Sequence, residues 1–72
     1  MIKELFDTLI WPPLKREIDK IASQNVEEAI EYINTLLNRK ELKWTIKDTA
    51  LYYLKAKLIA KRNSLIRKLK QK

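Results

Sequence analysis

Seventy-two residues with a formal net charge of +7 make one domain at most, and a chain of this size buries only roughly 60% of its unfolded surface. The chain has no cysteine and no histidine, which excludes disulfide staples and the usual zinc ligands. It also has no glycine, and the phosphate-cradling loops of the P-loop and dinucleotide types need glycine for close backbone approach.

Along the chain, Ile2, Leu5, Phe6, Leu9 and Ile10 follow helical spacing and predict a short amphipathic helix. It is expected to stop at Trp11, because the residue before a proline is pushed out of the α region. Pro12-Pro13 then forms a stiff corner, and Pro13 fits the first turn of a second helix reaching about Ala22, with Leu14, Ile18, Ile21 and Ala22 on one side. Across Ser23-Gln24-Asn25 the apolar stripe jumps by roughly 75°, which predicts a break. Asn25 has the chemistry of an N-cap, with Glu28 completing a capping box. The third helix runs to about Leu37 and points Val26, Ala29, Ile30, Ile33, Leu36 and Leu37 inward. Asn38 to Trp44 reads as a charged connector, Asn38 being the C-cap residue in the absence of glycine. Thr45, with Asp48 three residues on, is expected to cap a long fourth helix ending near Lys70. The expected fold is therefore all-α: three short helices packed on the first half of a long C-terminal helix, a small helical bundle in one domain of residues 1–72, with 55–72 as a basic helical arm.

The charge is confined to that last helix. All nine acids lie between Met1 and Asp48, where eight bases nearly cancel them; Thr49 to Lys72 hold eight bases and no acid. A solvated helix face normally mixes signs so that i, i+4 pairs form. Cations also suit a helix C-terminus for dipole reasons, but eight exceed that need. The segment thus reads as an anion-binding element, and nucleic acid is the commonest polyanion a basic helix meets. Lys55, Lys57, Lys61, Arg62, Arg67, Lys68 and Lys70 are the expected phosphate contacts. Lysine, a point charge, prevails over arginine, which suits backbone contact without sequence reading. DNA is favoured over RNA as the partner. Tyr52 and Tyr53 have the chemistry to stack on bases, but core packing for Tyr52 and an exposed amphipathic ring for Tyr53 are the favoured explanation.

A helix-turn-helix is disfavoured, because the would-be recognition helix opens with Glu27, Glu28 and Glu31, which phosphates repel. Without histidine or cysteine, acid–base chemistry falls to carboxylates, lysines and tyrosines, and none forms a recognisable constellation; no enzyme activity, metal or cofactor is expected. No apolar run approaches the ~20 residues that span a bilayer, and Glu4 and Asp7 do not suit a secretory signal, so a soluble, cytoplasmic protein is expected. The alternative function is a protein-interaction module. On that reading Ile59, Leu65, Ile66 and Leu69 outrun the bundle and dock into a larger protein or a second copy. Membrane-surface binding is disfavoured, as this stripe is narrow and carries no tryptophan.

Overall fold

The structure, a computed structural model, describes residues 2–44 and 49–71. In chain order these form α1 (Ile2–Leu5), a π-helical segment (Phe6–Ile10), α2 (Trp11–Gln24), α3 (Val26–Leu37), the short α4 (Lys40–Lys43) and α5 (Ala50–Lys70). The fold is an all-α small helical bundle, as the periodicity predicts.

The N-terminal corner differs from expectation. Trp11 stays helical (φ −70°, ψ −45°), so α1, the π segment and α2 follow one another without a break. Pro12 and Pro13 can donate no backbone hydrogen bond, and in a regular α-helix their rings would crowd the carbonyls of Thr8 and Leu9. The chain meets this by widening one turn, so that the Trp11 N–H donates to the Phe6 carbonyl five residues back. Stacking of the Trp11 ring on Phe6 (6.4 Å between centroids) and its packing on the core hold the helical conformation that the following proline disfavours.

The wider turn also shifts the phase of the apolar stripe. Phe6 is buried, whereas Leu5, Leu9 and Ile10 are 56%, 65% and 44% exposed; the Ile2 side chain lies outside the described residues. A stripe drawn at 100° per residue therefore names one of the four correctly.

From α2 onward the pattern holds more closely. The break falls at Asn25, whose backbone is extended (φ −159°, ψ 111°) and whose side-chain oxygen accepts from the Glu28 N–H at 3.2 Å. Asn25→Ala is expected to cost about 1 kcal/mol, seen as a fall in Tm of roughly 4–8 °C. Ile18, Ala29 and Ile33 are fully buried, and the other predicted inward residues of α2 and α3 are half-buried. Asn38 ends α3, as expected. The connector is more ordered than its charge suggested: α4 carries Leu42 into the core at 4% exposure, and burial of that one apolar side chain seats the turn. The Thr45–Asp48 cap lies outside the described residues. The described helix starts later, at Ala50, with Thr49 Oγ1 accepting from the Tyr52 N–H.

Helix α5 runs antiparallel to α3. Leu69 shares a shallow hollow with the α2–α3 corner (Ala22, Asn25, Val26), Arg62 meets Asn34 at mid-helix, and Leu51 and Leu54 lie beside Leu36 and Leu42. At about 1.5 Å per residue α5 is roughly 31 Å long, close to the 39 Å long axis of the molecule. The helix does not project as an arm. Leu58 and Leu65 are both buried, so the packing continues through the distal half of α5, further than the sequence reading placed it.

Candidate nucleic-acid interface

The core fixes which way α5 faces. With Leu58 and Leu65 turned inward, 100° per residue turns Ala56, Ala60, Asn63, Ser64 and Arg67 outward, and all five are exposed. On the same projection Lys57 and Lys68 lie within about 20° of one another along one edge of this surface, and Lys70 lies along the other; these three bases are exposed. Lys55 is half-buried on the same side as Lys70. The helix contains no acid from Ala50 to Lys70.

The seven bases expected to contact phosphate separate into two groups. Lys61 reaches across to α2 and pairs with Asp19 at 2.6 Å, its side chain only 20% exposed. Arg62 donates through Nη1 to Asn34 Oδ1 at 3.0 Å, and its Nε is buried with no hydrogen-bond partner among the described residues. Both side chains are engaged in fastening α5 to the bundle, which removes them from the freely available cations. Among the described residues only Lys15, Lys61 and Arg39 form ion pairs, the last with Glu41 at 3.9 Å. Lys55, Lys57, Arg67, Lys68 and Lys70 therefore make no ion pair among the described residues.

Asp19 was not visible as a partner in the sequence. It follows the buried Ile18, which brings it to the edge of the α2–α5 seam, and that adjacency is the signal by which it could have been found. The hydrogen bond from Lys61, against an opposing effect of burial and with help from Lys15 at 3.1 Å, holds its carboxyl below the usual range. A carboxylate with a lowered folded pKa adds stability above its unfolded pKa, and that stability is lost as pH falls through the folded value. Asp19 is 43% exposed, so solvent screening limits the effect; Asp19→Asn is expected to cost no more than about 1 kcal/mol at pH 7. Below about pH 4 the gap between wild type and variant should narrow and close. Urea midpoints at pH 7 and in acid measure this, and a gap that stays constant would contradict the pairing.

The residues expected to dock a partner are placed differently. Leu65 is 4% exposed and belongs to the core with Ile18, Ala29, Ile33 and Leu58. Buried in that cluster, it is not a free docking residue. Ile59, Ile66 and Leu69 are half-buried. The tyrosines are also occupied: Tyr53 sits 6.3 Å from Phe6, and Tyr52 meets Tyr53 edge-on at 6.1 Å. The exposed large apolar residues of the described chain are Leu5, Leu9, Ile10, Leu51 and Trp44, the last at 78%. None stands on the distal half of α5.

Among the described residues no helix is long and apolar enough to cross a membrane, and no group of three or more acids could hold a metal ion. No protein-family model matches the chain, and neither the curated proteins nor the solved structures give a significant match.

Proposed function

We propose that this protein is a non-catalytic, low-specificity nucleic-acid-associated factor, a small accessory subunit of a DNA- or RNA-processing complex that contacts phosphates through α5. The observation that supports this reading is the acid-free outer surface of α5, on which Lys57, Arg67, Lys68 and Lys70 stand exposed and without an ion pair among the described residues, with Lys55 half-buried at the margin. Phosphate contact releases condensed counterions, so binding weakens as salt rises. Lys61 and Arg62 serve the reading indirectly, by fixing which side of α5 faces out.

Fluorescence anisotropy on a labelled oligonucleotide tests this. With about five contacts, log K should fall against log salt with a slope of about −4.5. No binding at about 50 mM salt would remove the reading.

A second reading, contact with a protein partner or a second copy, draws on the exposed Leu5, Leu9 and Ile10 rather than on the distal stripe of α5, where Leu65 is buried and Ile59, Ile66 and Leu69 are half-buried. Sedimentation distinguishes self-association: a doubled mass that persists in high salt would favour it, and a monomer at every salt concentration would count against it.

A further inference from the structure

The basic surface of α5 has a shape as well as a charge, and the shape selects among nucleic acids. Tyr52 and Tyr53, the aromatic rings of α5, are held in an aromatic cluster with Phe6 at the start of the helix. No aromatic side chain follows them from Leu54 to Lys70. Binding of a single strand gains about 1–3 kcal/mol per base from stacking on aromatic rings, and this surface offers none. What it offers is one face of an unbroken helix. Beyond the aromatic cluster the free ridge runs from Ala56 to Lys70, roughly 22 Å at about 1.5 Å per residue.

The charges sit on the flanks of that ridge. Lys57 and Lys68 mark one edge and Lys70, with Lys55 behind it, the other, the two edges lying roughly 140–160° apart around the helix. Between them Arg67 is the one long side chain; Ala56, Ala60, Asn63 and Ser64 do not hold the helix away from a surface it approaches. A helix with its side chains is about 10–12 Å across, and the B-form major groove is about 12 Å wide. Seated there, the flanking lysines meet the phosphates of both groove walls, and Arg67, the one long side chain between them, extends to a wall phosphate without reading sequence. The A-form duplex of RNA has a major groove too deep and narrow to admit a helix.

We infer that the ligand of α5 is B-form duplex DNA, with the Ala56–Lys70 ridge seated in the major groove. The inference rests on the phosphate-contact reading and narrows it to one class of nucleic acid. The acidic first turn of α3, which phosphates would repel, belongs to a different helix, and its Glu27 lies beside Leu69 on the side of α5 turned away from the ridge.

The test compares three probes of matched length and sequence with the full chain at one salt concentration: duplex DNA, single-stranded DNA and duplex RNA. Duplex DNA is expected to bind at least about tenfold more tightly than the other two, a margin of about 1.4 kcal/mol. Equal or tighter binding of the single strand or of duplex RNA would overturn the groove assignment while leaving phosphate contact standing. Failure to bind any of the three would overturn both. One variant guards the geometry: Ala60→Trp adds bulk at the middle of the exposed ridge, where it need not disturb folding. With its circular dichroism unchanged, this variant should lose at least about tenfold on duplex DNA and little on the single strand; an undiminished duplex affinity would overturn the seating.

Discussion

Replacing Leu65 by aspartate is expected to unfold the protein. Leu65 is 4% exposed and packs in one cluster with Ile18, Ala29, Ile33, Leu42 and Leu58. No described cation forms an ion pair at that site, the nearest pairing on α5 being Lys61 with Asp19. A carboxylate placed there loses its hydration without gaining a partner, and the cost is several kcal/mol. A domain of this length without disulfide or metal rarely holds more than about 3–5 kcal/mol of stability, so the substitution consumes all of it. Circular dichroism should show loss of most helical signal at 25 °C and no cooperative thermal transition. Leu69→Asp is the graded control. Leu69 is half-buried at the open hollow beside the α2–α3 corner, where a carboxylate keeps part of its water, and a folded but less stable protein is expected. A Leu65→Asp protein with wild-type helicity would mean that the distal stripe of α5 is an exposed docking surface after all.

Neutralising the outer bases should have the opposite signature, with binding lost and the fold retained. Lys57, Arg67, Lys68 and Lys70 are exposed and make no ion pair among the described residues, so a Lys57→Gln, Arg67→Gln, Lys68→Gln, Lys70→Gln variant should melt within a few degrees of wild type. Arg67, Lys68 and Lys70 do compensate the helix dipole in the last turn of α5, at a few tenths of a kcal/mol each. Phosphate contacts of this kind each release about one counterion, and four of them together account for at least about a hundredfold in affinity near 50 mM salt. The complementary variant, Lys61→Gln with Arg62→Gln, separates the roles of the bases. Lys61 and Arg62 tie α5 to Asp19 and Asn34, so their loss should lower Tm more than it lowers affinity. A reversal of these two patterns would mean that charge and attachment had been assigned to the wrong residues.

The helices themselves were legible where one principle governed. In α3 every apolar residue lies on a 3.6-residue period, and Asn25 followed by Glu28 marks a cap that needs no tertiary information. The N-terminal segment was not legible, because two local rules compete there. Proline disfavours a helical residue before it, while Trp11 gains from stacking on Phe6 and from the core. The chain resolves the conflict with a π turn that sequence periodicity does not encode, and the phase of Leu5, Leu9 and Ile10 is lost with it. Thr45 and Thr49 both have N-cap chemistry one turn apart, and the described helix is capped by Thr49. Within the candidate interface the charge was fully readable, but its division was not. Whether Lys61 or Lys57 points at a carboxylate depends on which side of α5 meets α2, and that is fixed by Leu58 and Leu65 across the seam rather than by anything local to the lysines.

The most direct test of the central claim, that the outer face of α5 meets phosphate, is the salt dependence of duplex-DNA binding measured side by side for the wild type and the four-base variant. The wild type should give a slope of about −4.5 in log K against log salt, and the variant about −1, since each phosphate contact removed lowers the slope by about one. Equal slopes for the two proteins would contradict the claim, whatever their absolute affinities.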